Sequence, residues 1–222
     1  MVIEQQAAIS PAATSPAAVR RAMIDSQLRV SGVNDPAVLA AIDGVAREDF
    51  VPAERRAVAY ADRAIPLGNG RVLAPALTHG QMLVEARPES DDKVLILGGG
   101  TGYLAAVIAP LVGSVTVVES DPALAAAAPA KPGIWVAGPL AKGAAKGAPY
   151  SLILIDGAVE QLPAELARQL ADDGRVVTGL VENGVTRLAT GRKAAGTIAL
   201  FALAEADFAP LGEFAAPRKW SF

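Results

Sequence analysis

The stretch that most constrains this chain is Val94-Leu95-Ile96-Leu97 running directly into Gly98-Gly99-Gly100-Thr101-Gly102-Tyr103. Four consecutive apolar residues leave no polar face, as expected of a strand buried on both sides in a parallel sheet. Glycines directly after such a strand permit a tight turn and let the backbone approach a ligand with no Cβ in the way. The apolar residues that follow begin a helix, whose N-terminus adds partial positive charge and free N–H groups. Pro110 marks its end.

The same alternation continues downstream. Val115 to Val118 is a second strand, ended by Glu119, and Asp121-Pro122 caps the next helix. Ile134 to Val136 is a third strand, and Ser151 to Ile155 a fourth, ended by Asp156. A helix over Pro163 to Leu170 leads through Asp173-Gly174 to a fifth strand, Arg175 to Leu180. Strands and helices alternating at this length imply a doubly wound α/β sheet with right-handed crossovers. Thr186 to Ala189 and Thr197 to Leu203, separated by Gly191 to Gly196, read as a closing antiparallel hairpin.

Upstream, Ser15-Pro16 starts a helix to about Val30, and Asp35-Pro36 starts another through Ile42. A short helix follows around Ala53 to Tyr60. Pro66, Gly68, Gly70 and Pro75 make residues 61–75 a loop with a short hairpin, and a helix spans Ala76 to Ala86. Three segments result: an Ala-, Ser- and Pro-rich arm (1–15), a helical extension with a substrate-side loop (16–92), and an α/β core (93–222).

Composition narrows the chemistry. A net charge of −3 argues against a nucleic-acid partner, which requires a surplus of Lys and Arg. With no cysteine and a single histidine, thiolate catalysis and a His- or Cys-based metal site are excluded. The N-terminus has neither a basic segment nor a long apolar one, and Tyr103 to Val118 is broken by Pro110, Gly113 and Ser114. No membrane partner and a cytoplasmic location are expected.

The acidic residue about 20 positions beyond a glycine turn, at the end of the next strand, is the usual partner of a ribose diol, and Glu119 stands there. The dinucleotide pattern Gly-x-Gly-x-x-Gly, counted from Gly98, fails at Tyr103. Gly98-x-Gly100-x-Gly102 is the S-adenosylmethionine form.

These residues and others resemble the protein-L-isoaspartate O-methyltransferase family. The matching stretches are Met23 to Arg29, Asp35 to Leu39, Arg47-Glu48-x-Phe50-Val51-Pro52, Ala59-Tyr60-x-Asp62, Ile65-Pro66-Leu67-Gly68-x-Gly70 and Val94 to Tyr103. Asp121-Pro122-x-Leu124 and Gln169-Leu170-x-x-x-Gly174-Arg175 continue it. The resemblance implies a Rossmann-like methyltransferase fold with a seven-stranded, mostly parallel sheet whose last strand is antiparallel. It implies S-adenosylmethionine as cofactor, and isoaspartyl residues of damaged proteins or peptides as acceptors; a homodimer is left open. The cofactor-binding set is then Gly98, Gly99, Gly100, Thr101, Gly102, Tyr103, Glu119, Ser120, Gly138, Pro139 and Asp156. The candidate catalytic residues are Arg71, Thr78 and His79, with no metal.

The sequence departs from the family at defined places. The loop that normally carries Thr-x-Ser reads Arg71-Val72-Leu73-Ala74, so both hydroxyls are gone. The acidic residue of the first strand is Ile96, and Gly-Asp-Gly after the third strand is Gly138-Pro139-Leu140, with Asp156 nearby to compensate in part. Arg71 offers a bidentate fork to an acceptor carboxylate, or is a solvated loop arginine. His79 either faces the acceptor or is a surface or helix-packing histidine, no partner being visible in the sequence. Trp135 and Trp220 read as packing residues, and Arg218-Lys219 is too short a basic run to imply a nucleic acid. Three readings stand: an O-methyltransferase acting on isoaspartyl or another acceptor, a catalytically silent cofactor-binding module, and a nicotinamide-linked oxidoreductase.

Overall fold

The structure, a computed structural model, describes residues 15–217. The rest of the expected N-terminal arm, Arg218-Lys219 and Trp220 lie outside the described residues. Ser15 accepts a hydrogen bond from the Ala18 N–H and Pro16 fills the first position of α1 (Pro16–Met23). The helical path runs on through a π turn at Ile24–Leu28 and a 3-10 turn at Arg29–Ser31, ending at the left-handed Gly32. Asp35 caps α2 (Pro36–Asp43) through the N–H groups of Ala37 and Val38. The third helix expected here is a 3-10 segment, Ala53–Val58.

The loop that follows folds into the hairpin of β1 (Ile65–Gly68) and β2 (Arg71–Leu73). Asn69 and Gly70 form its tip, both at positive φ (49° and 73°). Asn-Gly is the pair that tolerates this geometry and matches strand twist. Helix α3 (Ala76–Ala86) then leads to the sheet.

The core contains β3 (Lys93–Leu97), α4 (Tyr103–Ile108), β4 (Ser114–Glu119), α5 (Pro122–Ala127), β5 (Ile134–Ala137), β6 (Tyr150–Val159), α6 (Ala164–Gln169), β7 (Leu170–Glu182), β8 (Val185–Ala194) and β9 (Thr197–Glu205). The seven-stranded sheet has the order β5-β4-β3-β6-β7-β8-β9. Strand β3 pairs in parallel with both β4 and β6. The direction of winding therefore reverses between β3 and β6, and ligands of such sheets bind at the carboxyl ends of the strands beside that switch. Gly98 follows β3, and Asp156 lies in β6 immediately beyond Ile155, the partner of Leu97.

Alternate residues of β3 enter different cores. Val94 and Ile96 pack in the cluster that holds Met23, Ile42 and Tyr103, whereas Leu95 and Leu97 pack with Leu166 and Phe214. This explains the unbroken apolar run, and the first cluster joins the helical extension to the sheet in one core. Arg175 fastens the start of β3. Its guanidinium donates to Asp92 and to the carbonyls of Ala86 and Arg87, tying the end of α3 to the start of β3 and to β7.

Several expectations are corrected. Strand β6 does not stop at Asp156 but continues to Val159 across an irregularity between Ile155 and Ala158. Asp173-Gly174 lies within β7, in a bulge between the pairings Tyr150↔Leu170 and Leu152↔Arg175. The closing hairpin turns at Ala195-Gly196, with β8 running through Gly191. Strand β8 is antiparallel to both β7 and β9. The strand that opposes the other six is thus the penultimate one, not the last.

Candidate active site

The glycine turn is built from backbone. The N–H groups of Gly98 and Gly99 both donate to the Val118 carbonyl (3.0 and 3.3 Å), and the Gly102 N–H donates to Gly99 (2.8 Å). Gly98, Gly100 and Gly102 have φ of 80°, 54° and 95°, where a side chain is strained. Gly99 is held by packing instead: a Cβ there would stand 2.2 Å from Val117 Cγ1. The Thr101 hydroxyl donates to the Phe50 carbonyl at 2.6 Å, strapping the turn to the Phe50-Val51-Pro52 segment. Trp135 lies under the turn, its ring within 3.2 Å of where a Gly102 Cβ would be, which is a packing role.

Glu119, at the end of β4, is 1% exposed. Its Oε2 accepts the Gly100 N–H at 2.6 Å and its Oε1 the Asp121 N–H at 2.9 Å. The remaining positions are taken by Arg71. Arg71 Nη1 lies 2.8 Å from Oε1 and Nη2 3.2 Å from Oε2, and Nη2 also donates to the Gly98 carbonyl at 3.0 Å. Arg71, expected at an acceptor carboxylate, is engaged with the chain's own Glu119. The hairpin as a whole leans on the turn: Asn69 donates to Asp121 at 2.7 Å, and Leu67 Cδ1 stands 3.6 Å from where a Gly100 Cβ would be.

On the other side of the turn is a buried polar group the sequence did not reveal. His79 is 1% exposed, and its Nε2 lies 3.0 Å from Asp156 Oδ1. The partner is 77 residues away in the chain, which is why His79 looked unpaired. Its ring stands 5.4 Å from that of Tyr103, and its Nδ1 has no hydrogen-bond partner among the described residues. Behind it lies Arg47, fully buried, which donates to the carbonyls of Ala59 (2.8 Å) and Ala74 (2.5 Å) and stacks on Tyr103 at 4.7 Å. Burial lowers the Arg47 pKa and raises that of the Tyr103 phenol. The Arg47-Glu48-x-Phe50 motif was visible in the sequence, but nothing in it disclosed a buried cation beneath the site.

The other expected residues are more peripheral. The Thr78 hydroxyl reaches the Asp207 carbonyl at 3.4 Å. Ser120 and Pro139 are exposed, and Gly138 continues the ladder by donating to the Glu119 carbonyl at 3.1 Å. No group of three or more His, Asp or Glu able to hold a metal occurs among the described residues, and none of their helices is long and apolar enough to cross a membrane.

The model of the family protein-L-isoaspartate(D-aspartate) O-methyltransferase (PCMT) matches residues 19–216. The chain belongs to this family. It is 36% identical over 212 residues to protein-L-isoaspartate O-methyltransferase 1 of Rhodopseudomonas palustris, covering 91% of this chain and 86% of that protein. It is also 36% identical over 211 residues to the protein-L-isoaspartate O-methyltransferase of Koribacter versatilis, covering 92% and 95%. A solved protein-L-isoaspartate O-methyltransferase superposes with TM-score 0.75 at 22% identity, over 87% of this chain and 66% of that one. A second, from Plasmodium falciparum and in complex with S-adenosyl-L-homocysteine, superposes with TM-score 0.74 at 16% identity, over 87% and 98%. The PCMT fold is thereby shown, a Rossmann-like methyltransferase fold.

The site fits the expected S-adenosylmethionine in its donor set. Gly98 and Gly100 form a cradle that a Cβ would fill, and a buried carboxylate ends the neighbouring strand.

Proposed function

We propose that this chain transfers a methyl group from S-adenosylmethionine to isoaspartyl carboxylates of damaged proteins and peptides. Family membership across residues 19–216 carries the proposal, since the relatives that share most of the chain bear that activity in their names. The cofactor supplies a methyl activated by a sulfonium. In this reading Glu119 accepts the ribose hydroxyls, the Gly98–Gly102 turn lies against the nucleoside, and Ser120, Gly138, Pro139 and Asp156 border the adenine. An acceptor carboxylate with a pKa near ~4 is ionised at pH 7, so it requires no general base. The chain has to align the acceptor, exclude water and hold its charge. Arg71, on the hairpin that covers the turn, supplies a fork matched to a carboxylate. His79 holds Asp156 in place by its hydrogen bond, and Thr78 lines the same side.

The test is transfer of labelled methyl to an isoaspartyl peptide, with the aspartyl peptide as control and S-adenosylhomocysteine calorimetry on the same sample. Base-labile label on the isoaspartyl peptide alone is the expected result. Binding without transfer to any acceptor would leave a silent cofactor-binding module, and nicotinamide binding in place of S-adenosylhomocysteine would overturn the assignment.

A further inference from the structure

We infer that Arg71 has two successive positions, on Glu119 before the cofactor binds and on the acceptor carboxylate afterwards, so that cofactor and acceptor bind in that order. This rests on the function proposed above. The argument begins with a count of hydrogen bonds. A carboxylate has about four lone-pair positions. Glu119 uses one for the Gly100 N–H, one for the Asp121 N–H and two for the Arg71 fork. A ribose diol that donates to Glu119 must displace one of these partners. The two N–H groups belong to the turn and to the residue two beyond Glu119, and both are fixed by the backbone. Arg71 is the movable one: it reaches Glu119 on a long side chain, 16% exposed, from a two-strand hairpin.

The displaced guanidinium leaves behind a carboxylate that is 1% exposed. It remains on β2, beside Gly98, whose carbonyl it also touches. A Cβ at Gly98 would stand 3.1 Å from Arg71 Nη2 and 3.4 Å from the Asp156 carbonyl, and the Asp156 side chain meets His79. Arg47 is fully buried under the Tyr103 ring, holds two carbonyls through Nε and Nη2, and has only Nη1 unpartnered among the described residues, so it offers no fork. An anionic acceptor entering here meets Arg71 as its available bidentate partner. With Glu119 still holding the fork, the acceptor would find a neutralised pair instead of a cation. Val72 and Ala74, adjacent on the same strand and after it, offer no polar group, which increases the acceptor site's dependence on this one side chain.

Calorimetry with S-adenosylhomocysteine on the wild type and on Arg71→Gln tests the first position. Removing the competitor is expected to tighten binding by about tenfold, the factor set by a latch closed ~90% of the time. Methyl transfer by the same variant tests the second: KM for the isoaspartyl peptide should rise by about tenfold, the worth of a charge-assisted contact, with kcat changed less. Arg71→Lys, which keeps a charge near Glu119 but lacks the fork, shifts both in the same directions if Arg71→Gln does not fold. In the wild type, the peptide should bind measurably only when S-adenosylhomocysteine is present. Unchanged or weaker S-adenosylhomocysteine binding in the variants, or equal peptide binding with and without it, overturns the inference and leaves the proposed function standing. No S-adenosylhomocysteine binding by the wild type overturns both.

Discussion

Arg47 is the residue whose loss the structure penalises most clearly. Its cation is fully buried with no carboxylate as hydrogen-bond partner, and is balanced by two carbonyls and the face of Tyr103. Arg47→Leu would leave the carbonyls of Ala59 and Ala74 unpaired inside the protein, at a net cost of about 3 kcal/mol. Urea unfolding measures it, and a loss under ~1 kcal/mol would show that these carbonyls find other partners. At this scale the sequence was legible in part. Glu119 could be located by counting from the glycine turn, because a strand–helix–strand unit fixes that distance. The Asp156 partner of His79, the Arg71 fork on Glu119 and the buried Arg47 could not. They are contacts across 12 to 77 residues whose chemistry depends on which side chains the fold brings together.

Elements were more legible than residues, because most of them carry local signals. The Asn69-Gly70 tip, the Asp35-Pro36 and Asp121-Pro122 caps and the apolar runs of β3 and β4 are written in a few adjacent residues. What failed was length: β6 and β7 pass through Asp156 and Asp173-Gly174, residues that ordinarily end strands, as unpaired irregularities with pairing resuming beyond them. Within the glycine turn the structure separates two kinds of requirement. Gly100→Ala meets only ordinary contact, its Cβ 3.6 Å from Leu67, and bears the strain of φ 54°, about 1 kcal/mol. Gly99→Ala forces a Cβ against Val117 at 2.2 Å and must displace the strand or the turn, costing about 2 kcal/mol or more. Unfolding curves should rank Gly99→Ala as the less stable. Calorimetry should show the larger loss of S-adenosylhomocysteine affinity in the same variant, because the turn itself moves. The opposite ranking would mean that backbone conformation, not packing, selects glycine here.

For the whole molecule, the order of the seven strands and the reversal at β3 and β6 lay beyond the sequence, since no local pattern records which strands pair. The shared core has a consequence for pH. All three tyrosines of the chain have phenols with raised pKa: Tyr60 to about 12, through burial and its hydrogen bond to Glu48, and Tyr103 and Tyr150 through burial. They come from three regions: the 60s loop, the start of α4 and the start of β6. A phenol whose pKa is raised on folding stays protonated in the native state after the unfolded chain has begun to ionise. The stability it contributes is therefore intact below the ordinary value of 10.0 and is lost as pH rises from there toward about 12. Urea unfolding at stepped pH should give a flat stability up to about 10 and a steep fall above it, with tyrosinate absorbance appearing together with unfolding. Tyr60→Phe should make the fall shallower. Tyrosinate appearing in the still-folded protein near pH 10 would show that these phenols are open to solvent.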